Sequence, residues 1–155
     1  MKTRRNIVLG LVLLLVVIQL FRPAQNNSMG IPTTDFFRVY PAPASVRVFM
    51  KNPCYDCHSN HTNYPWYARV QPFGWWLARH IQQGKEEVNF SEFGSLSHRR
   101  QISKLKNIEG SIRDGSMPLS SYTLIHRNAR LSAEEKKTIK DWLSKRRDSL
   151  SESVH

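Results

Sequence analysis

Two cysteines occur in the 155 residues of this chain, and both fall within one five-residue stretch, Cys54-Tyr55-Asp56-Cys57-His58. C-x-x-C-H is the attachment sequence of a c-type haem. Two thiols three positions apart on one turn can each add to a haem vinyl group, while the next residue points its imidazole at the iron from the same side. A fold that obeys the motif must be built around that one turn. Two other readings use the same residues. A thioredoxin-type dithiol needs only the C-x-x-C and sits at a strand-to-helix junction, and no strand pattern precedes Cys54. A zinc site from Cys54, Cys57, His58 and His61 has suitable ligand types, but all four lie within eight residues and no second ligand pair closes the site.

Charge and the N-terminus bear on compartment and partner. Lys and Arg outnumber Asp and Glu by 23 to 12, giving +11, which suits nucleic acid, an anionic surface or an acidic protein. The chain opens with Lys2, Arg4 and Arg5, continues with an apolar run from Ile7 to Phe21 broken by Gly10 and Gln19, and closes that run with Arg22-Pro23. This is a signal-type sequence. Its apolar run falls between a signal core and a span of about 20 residues. Arg22, where cleavage after Ala24 would need a small residue, favours a retained anchor. The basic flank places the N-terminus in the cytoplasm. The expectation is a single-pass protein of the bacterial inner membrane with its haem domain in the periplasm, or a periplasmic protein if the segment is cleaved. Nucleic acid is then excluded as a partner.

Along the chain, Pro23 to Pro43 holds four prolines and Asn26-Asn27-Ser28, and reads as a tether that ends by packing its Phe36-Phe37 cluster on the domain. Val46, Phe49 and Met50 recur at helical spacing before Pro53, predicting a short helix that leads into the motif and meets the last helix. The loop Ser59 to Gln71 offers aromatic wall in Trp66 and Tyr67. Either Pro65 or Pro72 could supply a carbonyl for the proximal imidazole. Phe73 to Gln83 predicts an amphipathic helix with Gly84 as its C-cap and His80 on the apolar stripe. Ser97 caps a second helix carrying Ile102, Leu105, Ile108 and Ile112, closed by Asp114-Gly115, with Arg99, Arg100, Lys104 and Lys106 on its outer face. Gly115-Ser116-Met117-Pro118 follows, 59 residues after His58. A methionine beside a proline in such a loop is where a class I cytochrome places its sixth ligand, a neutral soft thioether that favours ferrous iron. His80 is the alternative distal ligand. Tyr122 and His126 share a helix face, and Ser132 with Glu135 forms a capping box for the last helix, whose apolar side is Ile139, Trp142 and Leu143. The polar tail from Lys145 is expected to fray.

Beyond the motif, the chain resembles the small bacterial haem-binding domain family with one C-x-x-C-H. The residues that carry the resemblance are Cys54 to Asn60, Tyr64-Pro65-Trp66-Tyr67, Gln71-Pro72 with Trp75-Trp76, His80, Asn89 to Phe93, Met117-Pro118-Leu119 with Tyr122, and Trp142, spanning about Pro41 to Leu143. The resemblance implies one haem c on Cys54 and Cys57 with His58 as proximal iron ligand. The long loop after His58 departs from an ordinary soluble cytochrome c.

The expected fold is mainly α: a cytochrome c-like small helical domain wrapped round a covalently attached haem, preceded by one N-terminal membrane helix. Its expected segments are anchor 1–22, tether 23–41, haem domain 42–148 and polar tail 149–155. The expected function is single-electron transfer with His58 and Met117 as axial ligands and no catalytic residues. The expected partner is a redox protein, a respiratory complex or another cytochrome. The alternative is a haem sensor or peroxidase-like enzyme with an open sixth position, in which His80 or His126 would be the distal acid/base.

Overall fold

The computed structural model describes residues 1–152 and is mainly helical. The eight α-helices among them are α1 (Lys2–Ile18), α2 (Phe36–Val39), α3 (Ala44–Met50), α4 (Asp56–His58), α5 (Phe73–Glu87), α6 (His98–Arg113), α7 (Ser120–Ile125) and α8 (Ala133–Glu152). Short tight turns at Trp66–Arg69, Phe90–Ser95 and Arg127–Ala129 link them, and one wide π-helical turn, Lys51–Tyr55, joins α3 to α4.

No helix among the described residues is long and apolar enough to cross a membrane. This overturns the expected N-terminal membrane helix and, with it, the single-pass inner-membrane location. The reason lies in where α1 begins and stops. It has 17 residues and ends at Ile18 with Gln19 as its cap, so Leu20 and Phe21 fall outside it. At 1.5 Å per residue it is about 25 Å long, against a hydrocarbon core of about 30 Å. Lys2, Arg4 and Arg5 occupy its first turns, so the uninterrupted apolar part, Ile7 to Ile18, covers only about 18 Å.

The core gathers around Phe36, which is fully buried. Its ring lies 4.7 Å from that of Phe93, 5.3 Å from Phe90 and 5.5 Å from Trp142. Val46 and Met50 of α3 join the same cluster as Ile139, Trp142 and Leu143 of α8, the pairing that their spacing predicts. Leu105 and Ile112 of α6 complete it against α8. Tyr40 donates to Gln101 Oε1, and Gln101 Nε2 donates to the Leu96 carbonyl at 2.7 Å, so the buried amide is satisfied.

The segment expected as a tether, 23–41, packs its Phe36 into this core with Phe37 against it. Asn26 and Ser28 exchange backbone hydrogen bonds with Thr62 and Asn60, both at 2.9 Å, around a bridge between Asn27 and His61. Asp35 caps α2, its Oδ1 accepting from Phe37 N–H at 3.0 Å. Gly94 receives this segment. A Cβ there would stand 2.6 Å from Val39 Cγ2. The last helix also differs from expectation. Rather than fraying from Lys145, α8 continues to Glu152, held by Arg147 on Glu109 at 2.6 Å and by buried Leu150. Residues 153–155 of the expected tail lie outside the described residues.

Candidate functional site

Pro53 shapes the turn that carries the motif. It has no N–H to continue the α3 ladder, and the chain widens there into the π turn before re-entering helix at Asp56. Cys54 thereby packs against the aromatic core, while Cys57 packs against a second, smaller cluster of Tyr67, Leu77 and Ile81. Both cysteines are free. Burial, with a smaller push from Cys57, raises the Cys54 thiol to about 12; burial, with Asp56 beside it, raises Cys57 to about 11. Both are thiols at neutral pH. Among the described residues no group of three or more His, Cys, Asp or Glu is placed to hold a metal ion, and His61 Nδ1 bonds instead to the Ser28 carbonyl region at 3.3 Å.

His58 is oriented by main chain. Its Nδ1 lies 3.1 Å from the Val88 carbonyl oxygen. A carbonyl only accepts, so Nδ1 carries the proton and Nε2 is left with its lone pair free. Burial lowers the His58 pKa, so the ring is held neutral. The acceptor is thus Val88, beyond the end of α5, and neither Pro65 nor Pro72. Gly84 has a role other than the expected C-cap: α5 runs on to Glu87, and Gly84 lies inside it. A Cβ at Gly84 would meet the Cys57 carbonyl oxygen at 3.0 Å and His58 Cε1 at 3.4 Å. The missing side chain is what lets α5 lie against the motif.

Asp56, one of the two spacer residues of the motif, fastens two loops to it. Its Oδ1 accepts from Asn63 Nδ2 at 2.9 Å and its Oδ2 from the Tyr122 hydroxyl at 3.1 Å. Tyr122 stacks on His126 with ring centres 4.3 Å apart, and His126 Nε2 lies 2.9 Å from the Tyr67 hydroxyl. Burial and the charge of Asp56 push the Tyr122 phenol up. Sequence reasoning missed Asp56, Gly84 and Val88. For Gly84, a glycine on the inward stripe with Leu77 and Ile81 was the available signal.

The structure brings Cys54, Cys57 and His58 together on one turn and puts the other two candidates on separate elements. His80 is half-exposed on α5, its Nδ1 donating to the Trp76 carbonyl at 2.8 Å and its ring 4.3 Å from that of Trp76. Met117 is half-buried in the loop between α6 and α7, its N–H on the Ser111 carbonyl at 3.2 Å. Trp66, Phe73 and Trp76 leave aromatic surface exposed. The model of the haem-binding domain family matches residues 13–145, which includes all of these positions. No curated protein and no solved structure matches the chain.

Proposed function

The chain belongs to the haem-binding domain family, and from that premise we propose that it holds one haem c on Cys54 and Cys57 and serves as a single-electron carrier. The observation that carries the reading is the hydrogen bond from His58 Nδ1 to the Val88 carbonyl, which leaves a neutral ring with only Nε2 available. A main-chain partner on one ring nitrogen is how proteins orient an iron-binding imidazole and raise its basicity. The residues present fit the group. Two free protonated thiols stand one turn apart beside His58, Gly84 keeps a side chain out of the space around Cys57 and His58, and exposed Trp66 and Trp76 offer apolar surface.

When bound, the haem iron supplies one-electron exchange between its ferrous and ferric states. Cys54 and Cys57 each give sulfur to one vinyl carbon and hydrogen to its neighbour, so attachment needs no oxidant. His58 serves as proximal ligand through Nε2. Met117 would supply the second iron ligand, with His80 as the alternative, since the Nδ1 of His80 is engaged by Trp76 and its Nε2 is not. A site with both axial positions filled by protein suits electron transfer. The partner is a redox protein with an acidic surface, met through Arg99, Arg100 and Lys106, which α6 exposes.

The test is the absorption spectrum and intact mass of the full chain produced with c-type haem maturation. The expected result is one haem retained after denaturation, a low-spin spectrum, and loss of the far-red ferric band in Met117→Ala. A low-spin ferric spectrum without the far-red band, unchanged in Met117→Ala and turned high-spin in His80→Ala, assigns the distal position to His80. Gly84→Ala should lower haem retention, because its Cβ pushes on the Cys57 carbonyl and His58. Haem held without Cys54 and Cys57 overturns covalent attachment. A high-spin ferric spectrum with rapid carbon monoxide binding to the reduced protein overturns the carrier reading in favour of a sensor or peroxidase-like enzyme.

A further inference from the structure

A second cavity, of about 730 Å³, opens beside the motif without involving its ligating residues. Tyr55 and Asp56 line it, whereas Cys54, Cys57 and His58 do not. Its size falls within the range of small-molecule sites. Its apolar side is formed by the edges of the stacked Phe37 and Tyr55 rings, Tyr55 lying between Phe37 and Phe90, and by the exposed loop residue Ile31. Three cations, Arg38, Arg47 and Lys51, complete the lining.

The charges do not cancel within the cleft. Two carboxylates line it against three cations, which leaves one positive charge over; both carboxylates are hydrogen-bonded within the fold, and Asp35 also feels the charge of Arg38. Asp35 Oδ1 accepts from Phe37 N–H at 3.0 Å and lies 3.5 Å from the Tyr55 hydroxyl. Both oxygens of Asp56 are taken, by Asn63 and Tyr122. None of Arg38, Arg47 and Lys51 forms an ion pair among the described residues, where the paired cations are Arg113, Lys137 and Arg147. Arg47, exposed like Arg38 and Lys51, stands with its guanidinium carbon 5.9 Å from the Phe37 ring centre, which places its charge beside the cleft. Unpaired cations beside an aromatic wall call for a ligand with both an anionic group and a flat apolar body.

We propose that this cleft binds a small organic acid, its carboxylate held by Arg38, Arg47 and Lys51 and its flat apolar body against Phe37, Tyr55 and Ile31. The site does not depend on the haem reading, because no ligating residue lines it.

The experiment is titration of the full chain with 2-naphthoate, followed by amide proton–nitrogen correlation spectra, with the uncharged 2-naphthalenemethanol in parallel. Saturable shifts centred on residues 28–38 and 47–59 are expected. The alcohol should bind about tenfold more weakly, and Arg38→Gln and Arg47→Gln should each weaken the acid by a similar factor, since hydrogen bonds to a charged group are lost. Ile31→Ser, at a position 65% exposed and so harmless to folding, should weaken both compounds. Equal affinity for acid and alcohol, shifts centred on α1 or on Trp66 and Trp76, unchanged affinity in both arginine variants, or no binding at millimolar ligand each overturns the proposal.

Discussion

Two apolar stretches stand within the first 40 residues, and the fold treats them in opposite ways. α1 is a near-continuous run of Leu, Val and Ile, yet none of its residues is buried. α2 is four residues long, and its Phe36 is the centre of the aromatic core. Hydropathy counts apolar atoms; what decides burial is whether other elements can reach them. α2 has a capping Asp35 and a receiving Gly94, and meets rings from Phe90, Phe93 and Trp142, whereas α1 is joined to the rest mainly beyond its end, where Gln19 and Gln71 exchange hydrogen bonds of 2.8 and 3.2 Å.

The contrast can be broken most directly at Phe36. Phe36→Ala should lower the unfolding free energy by about 3–5 kcal/mol, as expected for truncating a fully buried aromatic, measured by urea unfolding followed by far-ultraviolet circular dichroism. A loss below about 1 kcal/mol, the scale of ordinary surface substitutions and their neighbours, would show that the segment is a tether after all. Asn26→Ala comes next, at about 2 kcal/mol. It removes the bonds from Nδ2 to the Ser59 carbonyl and the Thr62 hydroxyl, at 2.7 and 2.9 Å, and the Lys85 contact at 2.9 Å.

A pH profile sharpens the comparison at the α2 cap. Burial raises the folded pKa of Asp35 above its unfolded value, outweighing the bonds it accepts. The folded chain then binds that proton more tightly, so stability falls as pH rises from the ordinary carboxylate range through the raised folded value. Asp35→Asn keeps an acceptor for Phe37 N–H but has no proton to lose. Relative to wild type it should gain stability across that window on going upward in pH. Identical slopes in the two proteins, from urea unfolding at pH 4 and pH 7, would refute the assignment. The smallest effect belongs to α1: removing residues 1–18 should change the unfolding free energy by under about 0.5 kcal/mol, read as an unchanged urea midpoint.

What was readable in the sequence follows the same division. The helices with their own local signals were legible: α6 starts after Ser97 and ends at Asp114 before Gly115, and α8 begins with the reciprocal bonds of Ser132 and Glu135, at 3.2 and 2.7 Å. The α3–α8 contact was legible from complementary apolar faces. That Cys54, Cys57 and His58 come together on one turn was legible from their spacing. The depth of Phe36 was not, since its neighbours come from positions 90, 93 and 142, far along the chain. Nor was the partner of His58, because a carbonyl has no letter in a sequence.

That last point reaches beyond reading. The acceptor for His58 belongs to the peptide unit at Val88, four residues past the glycine that makes room for the motif. Alanine scanning at position 88 would report the loss of a buried core valine and leave the acceptor itself untested, since every amino acid presents the same oxygen there. The ring's aim is coupled instead to the register of α5. A one-residue insertion or deletion between Gly84 and Val88 would turn that end of the helix by about 100° and carry the oxygen away from the imidazole. The helix end acts as a gauge block for the His58 ring, so its length is held by the imidazole while the valine side chain at its end is held by the core.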